Sequence, residues 1–140
     1  MKNKLNDMFN KFQEEIKLKA ERELKPLLEE KLISLITDDF IKLKFDAYTP
    51  YFSDGDVCVY QVFSMMVKLI EKQSEGYEDS EGFTHFEDII DEKLEIKADA
   101  VNDVVQQNID PKIFKLVYGD HKSIYITKNE VVVKNNTKHD

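Results

Sequence analysis

The sequence has one cysteine, Cys58, no tryptophan, four glycines and three prolines. A lone cysteine excludes an intramolecular disulfide, a redox-active pair and a cysteine zinc cage, and it fits a reducing compartment. With so few glycines there is no phosphate-cradling loop, and neither GxGxxG nor GxxxxGK[ST] occurs. No uncharged run approaches the roughly 18 residues a membrane span requires. The opening MKNKLNDMFNKFQEE also lacks the apolar centre of a signal peptide. The expectation is a cytoplasmic protein that does not enter a membrane.

Basic charge is scarce in the middle of the chain. Residues 1–37 carry 8 basic and 7 acidic groups, residues 38–110 carry 6 and 18, and residues 111–140 carry 6 and 3. An acidic centre repels a phosphate backbone, which argues against generic nucleic-acid binding and favours a basic protein surface or a metal ion. The plainer reading is a solvated face that keeps the protein soluble. At 140 residues, 41% of them apolar, the chain can bury one core without staples. A single domain over 1–140 is expected, with a helical segment over 1–37 and an α+β body over 38–140.

From Leu5 through Met8, Phe9, Phe12, Ile16, Ala20, Leu24, Leu27, Leu28 and Leu32 to Leu35 and Ile36, apolar residues recur in steps of three and four. That spacing predicts a long amphipathic helix. Pro26 removes a backbone donor and crowds the carbonyl of Arg22, which predicts a kink or two helices meeting there. Either both halves fold over a sheet, or part of the stripe projects and pairs with another chain, as in a homodimer through residues 3–37.

Alternation over Phe40–Asp46 predicts a strand, and the β-branched and aromatic run from Val57 to Ile70 a longer one. Thr84 followed by Glu87 spells a capping box, predicting a helix through Val105 with a break near Ile96–Asp99. Asp110-Pro111 and Gly119 bracket a short helix. Ile124, Ile126, Val131 and Val133 around Lys128-Asn129-Glu130 predict a second hairpin. The expected fold is α+β: a long N-terminal helix, two antiparallel hairpins in one sheet, and two to three further helices.

Few groupings could carry chemistry. Asp54 and Asp56 flank Gly55 and could offer a divalent cation two carboxylates, although a turn that uses Asp for its conformation explains them better. Tyr48 and Tyr51 beside this turn are candidate contact residues, with packing as the alternative. His85, Asp88 and Asp91, with Glu92, would share a helix face, but one helix supplies only part of a coordination sphere, and acidic first turns favour helices anyway. Ser53 or Ser64 with His121 or His139 lacks a nucleophile turn. Cys58 lies in an apolar run as an inert thiol.

The segment Phe45-Asp46-Ala47-Tyr48-Thr49-Pro50-Tyr51-Phe52-Ser53-Asp54-Gly55-Asp56-Val57-Cys58-Val59-Tyr60 resembles a run in small, uncharacterised proteins of large tailed bacteriophages. The ending is similar too, with Tyr118-Gly119-Asp120 leading into a strand pair that closes on His139-Asp140. The resemblance spans most of the chain after residue 40, leaves out the long helix, and brings no catalytic residues. It implies a phage-encoded accessory protein acting in the host cytoplasm by binding a host protein. The leading expectation is therefore a non-enzymatic protein that meets a basic partner through Asp88, Asp91, Glu92 and Glu95. The rivals are a ligand- or metal-using enzyme or sensor built from Asp54, Asp56, Asp120 and His139, and a virion or scaffold component assembled through the N-terminal helix.

Overall fold

In a computed structural model, the residues described are 3–50, 59–63, 65–69 and 81–136. The chain is α+β, with a 31-residue N-terminal helix, an antiparallel sheet and further helices. Asn3 starts the first helix by accepting the N–H groups of Leu5 and Asn6 at 3.0 and 3.4 Å, donors that a first turn otherwise leaves orphaned. Helix α1 (Lys4–Lys19), a π-helical turn (Ala20–Leu24) and α2 (Lys25–Ser34) run on without a break. Pro26 therefore neither ends the helix nor separates two. It falls in the first turn of α2, directly after the turn in which the Lys25 N–H reaches back to the Ala20 carbonyl.

That wide turn sets the facing of the apolar residues. In an unbroken α-helix Leu28, twelve residues past Ile16, would lie about 120° round the axis; one extra residue in a turn rotates it back by about 100°. The face that α2 buries through Leu28 and Leu32 thus continues into the stripe of α1.

Strand β1 (Phe40–Tyr48) is central. The sheet order is β4-β3-β1-β5-β6, with β2 also on β1, where β2 is Gln61–Val62, β3 Met66–Leu69, β4 Thr84–His85, β5 Lys122–Ile126 and β6 Val131–Asn135. Leu43, Phe45 and Ala47 of β1, Val67 of β3, and Ile124 and Ile126 of β5 form the buried face. Leu28 and Leu32 of α2, Ala98, Val101 and Val105 of α3 (Glu92–Asn108), and Phe114 of α4 (Pro111–Tyr118) join them in one core. A register shift between Phe40 and Lys42 breaks the expected alternation: Phe40 turns inward and Ile41 is left 46% exposed.

The single strand expected over Val57–Ile70 is interrupted among the described residues. Phe63 still donates to the Asp46 carbonyl at 2.8 Å, but the Met65 N–H instead reaches Asn102 Oδ1 on α3 at 3.1 Å. One turn further on, Gln106 Nε2 donates to the Phe63 carbonyl at 3.1 Å. Two amide side chains of α3 thus satisfy backbone groups that the gap between β2 and β3 leaves without strand partners.

The helix expected from Thr84 begins later. Thr84 is a buried β4 residue, a 3-10 turn follows at Phe86–Asp88, and α3 starts only when Asp91 accepts the N–H groups of Lys93 and Leu94 at 2.9 and 3.1 Å. No break occurs at Ile96–Asp99. Asp110, Pro111 and Gly119 bracket α4 as the sequence suggested, with Gly119 at φ 89° donating to the Lys115 carbonyl. Strands β5 and β6 form the expected C-terminal hairpin.

Asn102→Ala is expected to destabilise the protein by about 1–3 kcal/mol, because it leaves the buried Met65 N–H unpaired. Gln106→Ala should cost less, since its partner carbonyl is only half-buried. Chemical denaturation of the two variants measures the difference.

Candidate functional site

Helix α1 has no buried residue. Leu5, Met8, Phe9, Phe12, Ile16 and Leu18 are each between 53% and 75% exposed, and all but Leu18 lie on one side of the helix. Contiguous apolar surface on this scale marks a contact site more often than a solvated face. Where the stripe meets the body, α4 packs against the π turn. Tyr118 there donates to Glu29 Oε2 of α2 at 2.9 Å. Burial and then the Glu29 hydrogen bond push the Tyr118 hydroxyl well above its ordinary pKa, so it stays a donor. A groove of about 780 Å³ opens between Gln13, Ile16, Lys17 and Glu21 of the long helix and Lys112, Lys115, Leu116, Val117 and Tyr118 of α4. Its floor is apolar and its rim largely basic.

The acidic residues at the start of α3 are dispersed in role. Asp88 belongs to the 3-10 turn, Asp91 is the cap of α3, and Glu92 and Glu95 follow in its first turn. All four are exposed. His85 does not share a helix face with them: it lies in β4, and its Nδ1 accepts the Glu87 N–H at 3.3 Å. Asp91 is also committed to backbone donors as the cap, so Asp88, Glu92 and Glu95 are the carboxylates of this surface that can be neutralised without losing that cap. Among the described residues no group of three or more His, Cys, Asp or Glu side chains could hold a metal ion.

The sheet face away from the helices holds a polar cluster. Ser123 donates to the buried Asp46 carboxylate at 2.7 Å and accepts from Asn136 at 2.9 Å. Lys44 pairs with Glu81 at 3.0 Å, and the Tyr125 hydroxyl lies 3.1 Å from both Glu81 oxygens. Burial works to lower the Lys44 pKa, but Glu81 and Asp46 outweigh it and hold the ammonium charged. The Lys44 hydrogen bond correspondingly lowers Glu81. The Ser123 hydroxyl is thus bonded to a carboxylate directly, an arrangement that fixes the sheet and does not build a nucleophile.

Tyr48 is buried, stacked on Phe63 at 4.4 Å between ring centroids and facing His121 at 6.2 Å, the packing role set against a contact role for it. Asp120 accepts from the Thr49 N–H at 2.8 Å, the Thr49 hydroxyl at 2.6 Å and the His121 N–H at 2.8 Å, clamping the end of β1 to the α4–β5 connection. Burial favours its neutral form, but these hydrogen bonds win and hold its pKa below the usual value. Sequence reasoning weighed Asp120 only as a ligand and missed this clamp, which the local spelling of Tyr118-Gly119-Asp120 does not reveal. Tyr51, Ser53, Asp54, Asp56, Cys58, Ser64 and His139 lie outside the described residues.

Asp91→Ala is expected to cost about 1 kcal/mol through loss of the cap, whereas neutralising Asp88, Glu92 and Glu95 should shift stability by less than about 0.5 kcal/mol; thermal melts distinguish the two. Asp120→Ala should cost about 2 kcal/mol near neutral pH. Because the folded-state pKa of Asp120 is depressed, this contribution is complete above the ordinary value of 3.8 and disappears as the pH falls through the depressed one. Melts of wild type and variant should therefore converge in acid. No protein-family model matches the chain, and neither a curated protein nor a solved structure is significantly similar to it.

Proposed function

We propose that this is a non-catalytic accessory protein that works by binding another polypeptide, with α1 as its principal contact surface. The observation that carries the reading is an amphipathic helix whose large apolar residues are exposed while its continuation, α2, is anchored in the core. The exposed carboxylates of Asp88, Glu92 and Glu95 supply a second feature, a negative surface that attracts a basic partner and raises its encounter rate. The resemblance of residues 45–60 to proteins of large tailed bacteriophages is consistent with a host protein as that partner. The exposed stripe equally favours an assembly role in a virion or scaffold.

Affinity capture from a bacterial host lysate at moderate salt, followed by mass spectrometry, tests the reading. The expected result is a specific polypeptide retained by wild type and lost with the double variant Phe9→Glu, Phe12→Glu. The variant Asp88→Asn, Glu92→Gln, Glu95→Gln should retain less of a basic partner and show weaker salt dependence. Identical capture by wild type and the Phe9, Phe12 variant would remove α1 from the mechanism.

A further inference from the structure

We infer that the occupant of α1 is a second copy of this chain, lying antiparallel to the first. The inference rests on the reading of α1 as a contact surface and adds its partner and orientation. Four features point this way: the area available, the charges beside the stripe, the net charge of the bodies, and the groove at its inner end.

The apolar side chains of the stripe leave on the order of 500–600 Å² exposed per copy. Face to face, two stripes offer up to about 1,100 Å² for burial, which reaches the roughly 1,000 Å² expected of a specific interface. Two Phe residues at its centre, Phe9 and Phe12, supply large rigid anchors. Aligned antiparallel about the midpoint between them, Leu5 meets the partner's Ile16 and Phe9 meets the partner's Phe12.

The flanks of the stripe differ. At about 100° per residue, Lys4, Lys11 and Glu15 fall on one flank, and Asn6, Gln13 and Lys17 on the other. In an antiparallel pair each flank faces its own kind. Lys4 then lies within about 3 Å, along the axis, of the partner's Glu15, and Asn6 within about 3 Å of the partner's Gln13. The two Lys11 side chains approach across the twofold axis, bracketed by the two Glu15 carboxylates. A parallel pair would set Lys4 and Lys11 against amides and leave only Glu15 a cation, Lys17, in reach.

The bodies add a long-range term. Residues 38–140 carry 12 basic and 21 acidic groups. Parallel helices would bring two such negative bodies together at one end, whereas antiparallel helices hold them at opposite ends. The groove completes the fit. In the antiparallel alignment the partner's Leu5 arrives at the level of Ile16, which lines the apolar floor with Leu116, itself 40% exposed.

Sedimentation equilibrium of the full chain is expected to give twice 16.4 kDa, falling to a single chain for Phe9→Glu, Phe12→Glu. Orientation is read in a Cys58→Ser background: Leu5→Cys mixed with Ile16→Cys should form an intermolecular disulfide, while neither variant does so alone. Disulfides within either variant alone would mean a parallel pair and overturn the orientation. A dimer that survives the Phe9, Phe12 variant would overturn the interface. A single-chain mass up to the solubility limit would overturn the second copy as occupant. If the lysate capture still depended on Phe9 and Phe12, the wider reading would outlive that result; if it did not, both would fall.

Discussion

The first helix has one apolar face, and that face is longer than anything the body can place beneath it. Thirty-one residues of helix reach about 46 Å, and the sheet with its covering helices fills only the inner half, from Ala20 on. The π turn at Ala20–Leu24 is what keeps the face continuous past Pro26: without its extra residue, Leu28 and Leu32 would point away from the side of Ile16. Burial of Leu32, fully inside, and Leu28, nearly so, fixes the rotation of the entire helix. The direction of Leu5, Phe9 and Phe12 is therefore set by the core, although none of them touches it.

The body is built to hold that anchor. Central β1 takes neighbours on both edges, and α2, α3 and α4 share its apolar face. Where the second strand leaves the sheet, Asn102 and Gln106 of α3 take over the backbone bonds, tying helix to sheet at the point of irregularity. Asp120 closes the far end of β1 through Thr49. The opposite face satisfies its polar groups internally, through Ser123 on Asp46 and Lys44 on Glu81. Apart from the buried Tyr60 hydroxyl, which has no hydrogen-bond partner among the described residues, the polar groups named above are occupied in fastening the fold, which leaves the apolar helix as the least explained extended surface among the described residues.

Much of this was legible in the sequence where the signal is local. The three-four spacing gave the long helix, Asp110-Pro111 and Gly119 marked α4, and the apolar pairs around Lys128-Asn129-Glu130 marked the last hairpin. What escaped depends on partners distant in the chain. Thr84 and Glu87 spell a cap, yet pairing of β4 with β3 claims Thr84 and moves the helix start to Asp91. The bulge that exposes Ile41 is written in the register with β3, and the gap between β2 and β3 has its backbone groups met by Asn102 and Gln106, 37 and 43 residues further along the chain. Pro26 announced a disturbance, but whether it would kink the helix or widen it depends on which face the core must bury.

Amide hydrogen exchange across residues 4–16, followed as protein concentration rises, tests the central claim most directly. If α1 is a contact surface covered by a second copy, its amides exchange rapidly in dilute solution and become protected as concentration increases, while those of β1 and α3 hold constant. Exchange in α1 that stays fast at every concentration would contradict the account.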